Sequence, residues 1–185
     1  SKIVIPSDAY TAKGLLKSAI RDNNPVIVVE HRKHYSVEFD MPDDGDENLL
    51  LPIGKSVVVH EGSDVTVVAN SFQVGQCVKV AKHLEKKKGV SVEVVDLRTL
   101  VPLDKETIIK SVKKTGRLLI VDEGYTSFGV AAEICAAIQD EVFYDLDAPI
   151  QRLCAPDVSI PFSPALEKLV VPNENTILAA VEKLL

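Results

Sequence analysis

Basic residues are not in excess: 21 Lys and Arg stand against 27 Asp and Glu in 185 residues, a formal charge of −6. That balance argues against nucleic acid or an anionic membrane surface as the main partner. No apolar run approaches the roughly 18 residues that a membrane-spanning helix needs. The opening residues Ser1-Lys2-Ile3-Val4-Ile5-Pro6 lack the layout of a signal peptide. Cysteine is scarce and odd in number. Cys77, Cys135 and Cys154 lie far apart in apolar segments, which suits small core residues in a reducing, intracellular compartment rather than a disulfide framework. Dinucleotide and P-loop glycine fingerprints, H-E-x-x-H and C-x-x-C are all missing, and no His/Cys/Asp set has zinc-ligand spacing.

What is present is 46% apolar and 26% charged, the balance of a folded globular chain. Short β-branched runs at Ile3–Ile5, Val26–Val29, Val57–Val59, Val65–Val68, Val92–Val95 and Leu118–Val121 predict strands. Most are continuous rather than alternating, as expected where both sheet faces are covered. Helical spacing falls between them. Ala12, Leu15, Leu16, Ala19 and Ile20 form one stripe behind a Ser7 or Asp8 cap. Val74, Val78, Ala81 and Leu84 form a second, and Ile108, Ile109 and Val112 a third, capped by Asp104. Val130, Ile134, Ile138 and Val142 make a fourth, and Ile177, Val181 and Leu184 a fifth, starting near Asn173. The alternation predicts a doubly wound α/β fold.

One composition break interrupts the pattern. Between Met41 and Asn48, the residues Asp43, Asp44, Asp46 and Glu47 surround Gly45, which predicts a surface linker over 41–51. It separates a front piece, 1–40, from a main domain, 52–185. The front piece holds a single strand–helix–strand unit, which cannot cover its own sheet, so it reads as the tail of a domain that begins upstream.

Four local features bear on chemistry, each with two readings. Asp122-Glu123 sits where a strand ends, the edge at which open sheets bind ligands; it is either an acid–base pair or a bonder of turn amides. The turn Gly124–Gly129 is a tight strand-to-helix connection or a weak ligand loop. His31-Arg32-Lys33-His34 meets an anionic group, such as a phosphate or a partner's carboxylate, or stays solvated. Asp22-Asn23-Asn24 ends the first helix, where carbonyls and carboxamide oxygens either cage a hard cation or cap the helix.

Five segments carry a family resemblance. They are Pro6 to Val26 (including Ala19-Ile20-Arg21-Asp22-Asn23-Asn24), Leu51-Pro52-Ile53-Gly54-Lys55, Val94-Val95-Asp96-Leu97-Arg98-Thr99, Leu146-Asp147-Ala148-Pro149 and Pro161-Phe162-Ser163-Pro164. Together the chain resembles the C-terminal portion of the beta subunit of the thiamine-diphosphate-dependent 2-oxo acid dehydrogenases, pyruvate dehydrogenase first among them. The resemblance implies a transketolase C-terminal-domain-like fold over 52–185, a mostly parallel sheet with helices on both faces. Before it comes the last βαβ unit of a pyrimidine-binding domain over 1–40. It implies an oxidoreductase that decarboxylates its substrate and passes the acyl group to lipoyl-lysine, using thiamine diphosphate and magnesium held outside this piece. No catalytic residue falls in this chain, which by itself is expected to be inactive.

The resemblance also implies a potassium site at Ala19, Ile20, Asp22 and Asn24. It implies contact with the subunit-binding domain of a dihydrolipoyl acyltransferase through Asp147 and the terminal carboxylate of Leu185. Further partners would be a second beta subunit and the alpha subunit, in an alpha2-beta2 heterotetramer. The compartment would be bacterial cytoplasm or the mitochondrial matrix. The alternatives are an acetoin or branched-chain dehydrogenase subunit, another thiamine enzyme such as transketolase, or a freestanding assembly module.

Overall fold

Continuous apolar runs become strands, and in this chain they assemble into two sheets, the larger with its central strands Val65–Ala69 and Val92–Asp96 buried on both faces. The computed structural model describes residues 1–39, 41 and 48–185, so the acidic residues Asp43, Asp44, Asp46 and Glu47 of the expected linker lie outside the described residues. The main sheet joins β3 (Val57–His60), β4 (Val65–Ala69), β5 (Val92–Asp96), β7 (Leu118–Tyr125) and β8 (Gln151–Ala155) in the order β3-β5-β4-β7-β8. All pair in parallel except β3, which runs antiparallel to β5 at the edge.

The helices are α2 (Phe72–Lys88), α3 (Lys105–Thr115), α4 (Val130–Val142), α5 (Pro164–Val170) and α6 (Glu174–Leu184). Successive residues of a strand point to opposite faces, and the core divides accordingly. Val65, Val67 and Ala69, Val92 and Val94, and Leu119 and Val121 meet Cys77, Ala81 and Leu84 of α2 and Ile177 and Val181 of α6. Val68, Val95, Leu118 and Ile120 meet Ile108 and Val112 of α3 and Ile134 and Ile138 of α4. Helices thus cover both faces of a mostly parallel sheet, as the sequence pattern predicts.

The second sheet shows what the pattern did not reveal. The front segment folds as β1 (Lys2–Val4), α1 (Ala9–Ile20) and β2 (Val26–Val28), the last parallel to β1. Asp8 caps α1 in a reciprocal box with Thr11. The third strand, β6 (Thr99–Val101), comes from the far side of the expected linker and pairs antiparallel with β1. A three-residue strand carries too little periodicity to be seen in sequence. Two other elements, β8 and α5, also lie outside the stretches from which elements were expected.

One polar network interrupts the apolar face against α3. Glu93 of β5 is buried and accepts from Ser111 Oγ at 2.5 Å, from the Gly62 N–H at 3.3 Å and from Lys114 Nζ. Thr66 Oγ1 continues it to Ser111 and Thr115, at 2.7 and 2.8 Å. Burial pushes the Glu93 carboxyl up, but Lys114 and Ser111 outweigh it and hold it below the usual carboxylate range. Removing the cation alone would leave Glu93 buried with only the Ser111 and Gly62 donors to offset its charge. Lys114 is nearly half exposed, so water offsets part of the loss. Lys114→Met is expected to lower the free energy of unfolding by about 2 kcal/mol, below the 3–5 of a wholly buried pair. Lys114→Met with Glu93→Gln should recover most of it, as read from denaturant midpoints.

Candidate functional site

The carboxyl ends of β4, β5 and β7 share one edge, and the front segment is fastened there. Asp96, the last residue of β5, is fully buried. It accepts from Ser7 Oγ at 2.6 Å, from the Arg98 N–H at 3.2 Å and from Arg98 Nε at 3.4 Å. Arg98 stands at φ +55°, a left-handed conformation that turns the chain out of the main sheet and into β6. Its carbonyl accepts from the Ile5 N–H at 2.8 Å. Ser7 follows β1, so this one carboxylate ties both sheets together.

A second tie runs through Glu123 of the Asp122-Glu123 pair, whose partners are side chains rather than turn amides. The two side chains diverge, as neighbours on a strand must. Asp122 turns inward to Asn70 Nδ2 at 3.1 Å. Glu123 accepts from Gln73 Nε2 at 2.7 Å and pairs with His31 Nε2 at 2.8 Å. The His31 ring stacks on Phe72 at 5.1 Å and 18°. Lys33 reaches Glu167 of α5 at 2.8 Å. The His31-to-His34 cluster thus meets anionic groups, but they are this chain's own carboxylates. Burial pushes Glu123 up, while the hydrogen bonds from His31 and Gln73 bring it below the usual range. The Gly124–Gly129 segment is a strand-to-helix turn. A Cβ on Gly129 would come within 2.3 Å of the Tyr125 carbonyl.

The four expected potassium ligands lie at the end of α1, and their arrangement does not fit a bare cation. Lys2 Nζ is already hydrogen-bonded to Asp22 Oδ2. Asp22 Oδ1 accepts from the Asn24 N–H at 2.8 Å and from its Nδ2 at 3.0 Å. The Ala19 carbonyl accepts from the Asp22 N–H at 3.2 Å. Lys2 first, then Asn24, draw the Asp22 carboxyl down to about 2.

Asp147 and Leu185 lie at the opposite end of the sheet. Asp147 immediately precedes β8, its N–H donates to the Gly116 carbonyl at 2.8 Å, and its side chain rests against Gly116. Gly116 ends α3 at φ +69° with no room for a Cβ, which would sit 2.5 Å from Asp147 Oδ2. Leu185 follows α6, and Leu184 is buried in the cluster against which Ala148 packs. Both residues are exposed.

A chain of this topology, with a mostly parallel five-stranded sheet clad on both faces, belongs to a defined domain class. The family profile described as "Transketolase, C-terminal domain" matches residues 54–177, two-thirds of the chain. The chain belongs to that family. It is 44% identical over 183 residues to the pyruvate dehydrogenase E1 component subunit beta, mitochondrial, of Dictyostelium discoideum, covering 98% of this chain and 51% of that one. It is 45% identical over 185 residues to the corresponding subunit of Bacillus subtilis, covering 100% and 55%. The 2-oxoisovalerate dehydrogenase subunit beta of B. subtilis is 43% identical, with 99% and 55% covered. The chain spans about half the length of these curated relatives. Its fold matches a solved chain described as "Split gene transketolase, inactive beta4 tetramer", with a TM-score of 0.76 at 24% identity, covering 99% of this chain and 56% of that one.

In the sequence Ser7 stands only as an alternative to Asp8 for capping the first helix, and Asp96 and Arg98 have no assigned role, although Asp96-Leu97-Arg98-Thr99 is among the segments of resemblance; Asp8 makes the cap. Burial raises the Asp96 carboxyl to about 6 against the hydrogen bond of Ser7 and the charge of Arg98, with the nearby Asp8 adding to the rise. A carboxyl raised on folding binds its proton more tightly in the native state, so its favourable contribution is complete below the unfolded value near 4 and lost as pH rises through 6. Unfolding between pH 4 and 6 is therefore expected to release roughly one more proton in the native sequence than in Asp96→Asn. Denaturation curves across that range read this directly; parallel pH profiles for the two proteins would contradict it.

Proposed function

We propose that the chain is the C-terminal portion of the beta subunit of a thiamine-diphosphate-dependent 2-oxo acid dehydrogenase acting on pyruvate. The carrying observation is the reach of the similarity. The family profile begins at residue 54, whereas the E1 beta relatives align over 98–100% of the chain, front segment included. On this reading residues 1–40 end a pyrimidine-binding domain and 52–185 form the transketolase-type domain. Thiamine diphosphate with magnesium, held by residues outside this chain, supplies the electron sink for decarboxylation, and the acyl group passes to lipoyl-lysine. This chain's residues fix the joint between domains, pair beta subunits, and contribute to an alpha2-beta2 heterotetramer. A branched-chain substrate is the second reading, supported by 43% identity to the 2-oxoisovalerate enzyme.

Docking to the acyltransferase core is assigned to Asp147 and the Leu185 carboxylate, which sit at one exposed edge. Acidic groups meeting a basic partner speed association and make it salt-sensitive. A calorimetric titration of the chain with an acyltransferase subunit-binding domain is expected to show binding that weakens with salt and falls at least tenfold in Asp147→Ala. A folded, dimeric chain that does not bind removes the docking assignment.

Potassium at Ala19, Ile20, Asp22 and Asn24 requires that Lys2 leave Asp22, because the ammonium already supplies the positive charge there. Exchanging sodium for potassium at constant ionic strength is expected to leave the chain's thermal midpoint unchanged. In Lys2→Met the same exchange should raise it. A response to potassium in the native sequence would place the ion beside Lys2 rather than in its stead.

A further inference from the structure

The short 3-10 turn Phe143–Asp145 carries an aromatic pair that the fold leaves uncovered. Phe143 is 58% and Tyr144 95% exposed, and their rings meet edge to face at 5.2 Å and 87°. Phe143 thus steadies the Tyr144 ring without hiding it. The surrounding charge is of one sign along the chain. From Gln139 to Pro149 there are four acidic residues, Asp140, Glu141, Asp145 and Asp147, and no lysine or arginine. Lys113 of α3 reaches in from a neighbouring element, 3.7 Å from Asp145. Arg117, just past Gly116, directs Nη1 to the Asp64 carbonyl at 3.5 Å. Asp140, Glu141 and Asp147 are exposed.

Tyr144 and Asp147 are three positions apart, so their Cα atoms lie within about 11 Å, inside the footprint of a small docking domain. We propose that Tyr144 is an aromatic anchor of the docking surface, taking the guanidinium or ammonium face of a basic domain while Asp147 and its acidic neighbours hold the partner's remaining charges. The proposal rests on the docking reading above and adds to it the residue that supplies contact area. Exposed tyrosines within a charged rim are what interface energy concentrates on, and an aromatic face attracts a cation directly. The occupant is basic because the segment's own charge is acidic; a second copy, also acidic at this edge, would face like charge.

The same titration separates the two claims. With the acyltransferase subunit-binding domain as probe, Tyr144→Ala is expected to weaken binding about tenfold while Tyr144→Phe keeps most of the affinity, since the ring rather than the hydroxyl makes the contact. Binding by Tyr144→Ala equal to the native chain, with Asp147→Ala still impaired, overturns the anchor and leaves docking intact. Absence of binding by the native chain overturns both. Loss of self-association in Tyr144→Ala without loss of docking would assign the pair to a contact between copies and also overturn the proposal. Tyr144 is almost wholly exposed, so circular dichroism of each variant should match that of the native chain.

Discussion

The relation between the two sheets hangs on a buried carboxylate. Asp96 ends β5 in one sheet, holds the backbone and side chain of Arg98 as the chain leaves for the other, and accepts the hydroxyl of Ser7 at the start of α1. Without those donors a charge in this position would carry an uncompensated desolvation cost. With them it fixes the left-handed turn at Arg98, which in turn delivers β6 to the edge of β1. The front unit is then completed by a strand from the main body. That sharing answers the physical difficulty that a lone strand–helix–strand unit poses, because a third strand covers an otherwise open edge.

The remaining ties act around this joint. His31 and Glu123, Lys33 and Glu167, and the stack of His31 on Phe72 fasten the loop after β2 to the ends of β4, β7 and α5. All of them lie at the carboxyl edge of the parallel strands, where open α/β sheets ordinarily hold ligands. Here that edge is occupied by the protein's own front segment. The sheet serves as a platform on which a neighbouring unit is oriented.

Much of this was legible in sequence, for a definite reason. Strands buried on both faces leave uninterrupted β-branched runs, and α2, α3, α4 and α6 leave 3.6-residue stripes with Asp104 and Asn173 as caps. Those patterns are local and survive without knowledge of partners. Pairing is not local. The three residues of β6 have no pattern of their own and become a strand only because β1 is beside them. For the same reason neither reading of Glu123, as an acid–base group or as a bonder of turn amides, points to its hydrogen-bond partners, His31 and Gln73, 92 and 50 residues away. At the expected cation cage, the ammonium bonded to Asp22 is that of Lys2, 20 positions away. An oxygen-rich corner can be read from sequence, but the ammonium that tertiary structure delivers to it cannot.

The two ends of the main sheet are thus used differently. At the carboxyl end, charges are matched within the chain, so they rigidify and orient; their pairs are partly buried and offer little to a partner. At the amino end, Asp147 rests on Gly116, and Tyr144 stands clear of the surface. Nothing in the folding of the chain requires an exposed aromatic there, since the α4 core residues Ile138 and Val142 are already covered. An ordered aromatic that contributes no burial to its own fold costs solubility, and acidic neighbours offset that cost while favouring a basic partner over a second acidic copy. The same charges that keep the edge dispersed in solution would therefore select what finally covers it.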